Sequence, residues 1–277
     1  MHALIHHLTQ RFALPSAQAE RLWALSGLRQ QPQALGQHLF RGLAVLAALL
    51  LGAGLVFWVA ANWQDHSRSV KLLLLQAAVL LPSAVALAWP RVRTAALLLA
   101  MLAVGGLLAY VGQTYQTGAD AWQLFATWAA LALPWALAAR RDGLWAAWLL
   151  IAALALALWS GDALLNPLQS LLRGSAPRDL LTPLAWAALF LWPLALPRLG
   201  LLPPGARAAP ISWRLAALLA VSAWCAHSLA GLFVREQMTQ FWLGAGLTLA
   251  AGALAWARRP RDFVVLSLVA LGLNVLL

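Results

Sequence analysis

The chain predicts an all-α, polytopic transmembrane helical bundle of about nine spans, N-terminus inside and C-terminus outside, preceded by a short cytosolic helical module. Three observations carry that expectation. Hydrophobic residues make up 63% of the 277 and charged residues 10%, with a mean hydropathy of +0.77, whereas a soluble chain has about 45–50% apolar and about 25% charged residues. Apolar runs of about 20 residues, the length that crosses about 30 Å of hydrocarbon, recur along the sequence. The basic residues gather in the short connections at the ends of those runs.

Residues 1–41 precede the first run and read as a cytosolic amphipathic module. Leu4, Ile5, Leu8 and Phe12 recur at helical spacing, and after the Pro15-Ser16 break Ser16 is placed to cap a second helix. In that helix Ala19, Leu22, Trp23 and Leu25 or Leu28 share a face. Such a face packs on the first helix or lies on the membrane surface, and the hairpin is the favoured arrangement. The first 40 residues lack the charged start, short apolar core and small-residue cleavage site of a signal peptide, so the first span is expected to act as the insertion signal.

Spans are expected at 42–62, 70–89, 94–112, 122–139, 144–160, 180–197, 213–234, 241–257 and 263–277. The fifth, sixth and ninth are short. Pro134, Pro183 and Pro193 fall inside spans, where neighbouring helices can satisfy the carbonyls they free. The first four spans, 42–139, form one expected unit, and the five in 140–277 follow it. Gly54 to Gln64 aligned with Gly106 to Gln116 keeps Gly, Leu, Val and Gln and matches Trp58 with Tyr110 and Trp63 with Tyr115. That match reads either as a parallel repeat or as coincidence between apolar segments.

Orientation follows from the positive-inside rule. With the N-terminus inside, the inner segments hold Arg11, Arg21, Arg29, Arg41, Arg91, Arg93, Arg140, Arg141, Arg198, Arg207, Arg214, Arg258, Arg259 and Arg261. The outer segments hold only Arg68, Lys71, Arg173, Arg178 and Arg235. A bacterial inner membrane is the expected location. Trp58, Trp63, Trp89, Trp122, Trp145, Trp159, Trp213, Trp242 and Trp256 lie near span ends, where interfacial anchors belong. The net charge of +11 is spread over loops with no basic stripe, so membrane lipids, not nucleic acid, are the expected partners. The lone Cys225 excludes an internal disulfide and a thiol metal cluster.

Polar residues concentrate at two span ends. The first span closes on Asn62-Trp63-Gln64-Asp65-His66 and the third on Gln113-Thr114-Tyr115-Gln116-Thr117-Gly118-Ala119-Asp120, with Lys71 opening the second span beside them. Amides and hydroxyls supply directional hydrogen bonds, Asp65, Asp120 and Lys71 supply charge, and Trp63 and Tyr115 supply flat surfaces. Those are the ingredients of a site for a small polar or head-group ligand, with Asn62, Trp63, Asp65, Lys71, Gln113, Tyr115 and Asp120 as its residues. The same groups also read as a packing joint, because polar side chains at helix ends satisfy free carbonyls and join helices.

At these two segments the chain resembles a known family. AANW at 60–63 and GQTYQTGADAWQLF at 112–125 resemble the most recognisable stretches of an uncharacterised bacterial family of multi-pass membrane proteins, catalogued as a domain of unknown function. The likeness covers about residues 1–140 and includes the glycine-rich third span at Gly105-Gly106. It implies that Asn62, Trp63, Gln113, Tyr115 and Asp120 are signature positions, and it implies no activity.

No span has Asp, Glu, Lys or Arg near its centre, which argues against ion coupling through a buried carboxylate. H-E-x-x-H, G-x-S-x-G and P-loop patterns are missing. Cys225, His227 and Ser228 include nucleophile and base types, but on a helix Cys225 and His227 face apart, so helix-to-helix hydrogen bonding is the expected role. Gln76 and Asn274 are expected to bond to neighbouring helices, and Asp142 and Asp262 to pair with adjacent arginines. His2, His6 and His7 have no carboxylate or Cys beside them and suit a solvated face; no metal, cofactor or catalytic residue is expected. The leading functional expectation is a non-catalytic binder or transporter of a small polar or lipid-linked ligand at the outer face. The alternatives are an accessory subunit docking a partner membrane protein or a second copy of itself, and an enzyme on lipid-linked substrates with Asp65 or Asp120 as general base.

Overall fold

A computed structural model of the chain describes residues 2–26, 35–61, 67–115, 118, 120–160, 181–233 and 238–277. Among the described residues there are eleven helices and no strand: α1 (His2–Arg11), α2 (Ser16–Leu25), α3 (Leu35–Ala61), α4 (Arg68–Ala88), α5 (Arg93–Tyr115), α6 (Ala121–Ala139), α7 (Asp142–Ser160), α8 (Leu181–Ala195), α9 (Pro210–Phe233), α10 (Met238–Ala257) and α11 (Phe263–Leu276). Each expected span coincides with a helix. Seven of them, α3 to α7, α9 and α10, are long and apolar enough to cross a membrane. The apolar helices α8 and α11 have 15 and 14 residues, which at about 1.5 Å per residue covers less than the full hydrocarbon layer.

Two compact units divide the chain, Met1–Ala47 and Ala48–Leu277. In the first, α1 and α2 pack on each other with Ile5 buried. Ser16 was expected as the cap of α2; Pro15 occupies that position, and Ser16 is the first helical residue. The fixed φ of proline suits a helix entrance.

In the second unit α4, α5, α6 and α7 pack in sequence order, and α7 joins α9. Around α9 lie α8, α10 and α11. The largest core cluster centres on this helix, where Trp213 and Trp224 meet Trp186 and Phe190 of α8. Gly244 of α10 and Gly272 of α11 let their backbones approach it, since a β-carbon would strike Ser228 at the first and Val221 at the second. Close helix approach at small residues is how dispersion drives association in lipid, where no hydrophobic force acts between helices.

Several expectations need correction. Trp145 and Trp213 are buried in the core, 0% and 7% exposed, and are not interfacial anchors. Trp145 donates from Nε1 to Leu201 O at 2.9 Å, which offsets the desolvation of its N–H, and the ring centroids of Phe190 and Trp213 lie 4.7 Å apart. Trp89, Trp242 and Trp256 are exposed, as anchors should be. Gln76 and Asn274 are exposed and make no bond among the described residues, because the packed strip of α4 is formed by Lys71, Leu75, Val79 and Ala86 and that of α11 by Val265, Val269 and Gly272. Asp142 is no partner of an arginine among the described residues. Its carboxylate accepts from the N–H groups of Ile211 (2.7 Å) and Ser212 (3.0 Å), capping α9 from the first turn of α7. Asp262 pairs not with an adjacent arginine but with Arg214, 48 residues away in sequence, at 3.0 Å.

Cys225 and Ser228 join helices as expected. The Cys225 thiol donates to Gly272 O of α11 at 3.5 Å and the Ser228 hydroxyl to Phe241 O of α10 at 3.3 Å. The Nδ1–H of His227 donates within its own helix to Ala223 O at 2.7 Å.

Candidate functional site at the start of α4 and the end of α5

Ser67 caps α4, its hydroxyl accepting from Val70 N–H at 3.4 Å. From this cap the helix turns Lys71, Leu75 and Val79 inward at four-residue spacing, and all three are buried. Lys71 is 8% exposed, so a charged side chain is buried in the first turn of α4. Leu75 packs on Tyr110 of α5, and the Tyr110 hydroxyl donates to Arg68 O in the first turn of α4 at 2.9 Å. Val79 packs against Val104 and Leu107.

The two helices run antiparallel, so this register carries the next inward position of α5, Thr114, to the level of Lys71. The Thr114 Oγ1 atom is buried and has no hydrogen-bond partner among the described residues. A hydroxyl left so is costly.

Of the remaining predicted residues, the three described ones, Gln113, Tyr115 and Asp120, are exposed. Gln113 and Tyr115 lie on the exposed faces of the last turn of α5, Tyr115 at 63%. Asp120 is exposed and occupies the cap position of α6, where its N–H donates to Gln123 Oε1 at 3.2 Å. A carboxylate there is favoured by the helix dipole. Asn62, Trp63 and Asp65 lie outside the described residues. Four of the seven predicted residues are therefore placed, all at one end of α4, α5 and α6, with Lys71 alone turned into the packing.

Residues 6–145 match the model of a family described as predicted membrane protein DUF2157. The chain belongs to that family. No curated protein and no solved structure matches it. The DUF2157 region runs from α1 into the first turn of α7, so it contains the whole of this end, and α8 to α11 lie beyond it.

Within the DUF2157 region, sequence reasoning passed over Tyr110 and Arg68 as members of the site. Tyr110 entered only as the counterpart of Trp58 in the internal match, yet the two differ in environment, 4% against 44% exposed. The usable signal was the spacing of Tyr110 and Thr114, two polar residues at i and i+4 on one face of an apolar helix. Chemically, an ammonium, a phenol and a hydroxyl can hold a polar group by hydrogen bonds. Among the described residues no three of His, Cys, Asp and Glu come together as a metal site would require.

Proposed function

We propose that this protein is a non-catalytic binder, or carrier, of a small polar or lipid-linked ligand, taken at the end of the bundle marked by Lys71 and Thr114. The chain would lie in a bacterial inner membrane with its N-terminus inside, so that this end faces outward; the uneven distribution of its basic residues supports that orientation.

The observation that carries the reading is the buried Thr114 hydroxyl with no partner among the described residues, at the level of a buried lysine. A packing joint would be expected to satisfy its own polar atoms; a hydroxyl reserved for a ligand would not be satisfied without one.

The test is native mass spectrometry of the full chain in mild detergent, wild type beside Thr114→Val and Lys71→Met. A discrete bound mass in wild type that both variants lose supports the reading. Identical spectra for all three, with only bulk lipid attached, would reject it and leave the polar groups as a joint between helices.

A further inference from the structure

At the end of the bundle opposite Lys71, two connections converge, that from α8 to α9 and that from α10 to α11. They enclose a cavity of about 500 Å³ whose charged wall is Arg207, Arg214, Arg258, Arg259 and Arg261 with one carboxylate, Asp262. Arginines at one face of a membrane protein are ordinary. Three features set these apart.

Two of the guanidinium groups, those of Arg258 and Arg261, are held against indole rings. That of Arg258 stands 5.4 Å from the centroid of the Trp213 ring, and that of Arg261 lies 3.8 Å over Trp256 while its Nε donates to Trp256 O at 3.3 Å. Stacked guanidinium groups lose less freedom when they bind.

The nearby carboxylates are already used. Asp262 pairs with Arg214 and accepts from Val264 N–H at 3.1 Å, capping α11. Asp142 caps α9. The two helix N-termini at this end thus carry their own anions, and no acid among the described residues remains for Arg207, Arg258 or Arg259.

Arg258 also lies in surroundings that disfavour its charged form. Burial, and then the charge of Arg198, push the Arg258 guanidinium below its usual range. An anion in the cavity would oppose both effects, because an opposite charge nearby favours the charged guanidinium. The rest of the wall is apolar, with Leu194, Trp213, Phe263 and Val264, so a charged group can sit against an uncharged body.

We propose that this cavity binds a phosphate-bearing anion, either a phospholipid head group or free phosphate, through Arg207, Arg258 and Arg259 above the Trp213 ring. Guanidinium suits phosphate because its N–H groups bond two oxygens at once. The cavity lies outside the DUF2157 region and is independent of the Lys71 end.

The experiment has two arms on the full-length protein in mild detergent. Native mass spectrometry follows retention of added phosphatidylglycerol against phosphatidylcholine, and thermal unfolding follows sodium phosphate against sodium chloride at equal ionic strength. Wild type is expected to retain one phosphatidylglycerol at about one-tenth or less of the phosphatidylcholine concentration needed, which assigns a lipid head group. Stabilisation by phosphate without lipid preference assigns the free ion. Arg207→Gln/Arg259→Gln, whose side chains are exposed and unbonded among the described residues, should weaken whichever effect appears by about tenfold with the melting temperature unchanged; Arg258→Gln should do the same. Arg91→Gln/Arg141→Gln, basic residues outside the cavity, should change nothing. Equal retention of both lipids with no phosphate effect overturns the proposal, as does an equal loss in the Arg91/Arg141 variant.

Discussion

The indole Nε1–H of Trp128 donates to Met101 O at 2.9 Å, while the same ring covers Gly105 one turn further along α5. A β-carbon at 105 would collide with that ring. Helix α6 therefore fastens to α5 by a hydrogen bond whose geometry needs a glycine beside the acceptor.

Gly105→Ala should destabilise the protein, and the sign is the informative part. In an exposed helix the change gains about 1 kcal/mol; here overpacking should cost about 1–3 kcal/mol. Gly54, with open space around its β position, is the comparison. Thermal unfolding in detergent should rank Gly105→Ala below wild type and Gly54→Ala at or above it. The reverse order would mean that Trp128 does not rest on α5.

Asp142 ties α7 to α9 across 70 residues of sequence. Its replacement by Ala removes the acceptor for two backbone N–H groups and for the Ser212 hydroxyl. A loss of about 2 kcal/mol is expected, at the upper end for a helix cap because Ser212 is buried. Asp142→Asn keeps an acceptor oxygen and should lose about half as much. Chemical or thermal unfolding of the two variants reads this directly.

Thr114→Val separates stability from binding. With its hydroxyl unsatisfied in the free protein, an apolar residue of the same shape should leave stability unchanged or raise it by about 1 kcal/mol. A clear fall in melting temperature would show that the hydroxyl has a partner and would remove the basis for a ligand there.

Orientation is open to a direct measurement. With the N-terminus inside and the C-terminus outside, alkaline phosphatase fused after Leu277 should be active in a bacterial host and a green fluorescent protein fusion dark. The opposite pattern would put Leu277 inside, rejecting either that orientation or a membrane crossing by the 14-residue α11, and a second fusion in the α10–α11 connection separates the two.

Among the individual residues, those tied to helix ends were the most legible. Asp120, Gln113 and Tyr115 stand where the pattern of polar residues placed them, at the ends of α5 and α6. Tyr110 and Thr114 were harder to see, since their importance comes from α4 lying opposite. Trp145 and Trp213 misled for a related reason: an indole near a span end suits the interface, and nothing local says whether a neighbouring helix covers it. Asp142 beside Arg140 and Arg141 suggested a local pair, but the stronger partner, the free N-terminus of α9, is remote in sequence.

The amino-acid order by itself determined the solvent, the helical class and the position of each apolar helix, because the free energy of moving a segment into lipid is close to a sum over its own residues. It also marked where the basic residues fall, which sets the expected orientation. Only the tertiary structure decided which face of each helix is inside. In lipid both the packed and the outward faces are apolar, so hydropathy gives no periodic signal to tell them apart. The burial of Lys71, the contact of Trp128 with Gly105, and the meeting of arginines from two connections around one cavity all depend on pairings between distant segments, and those are settled by shape and hydrogen bonding in the folded bundle.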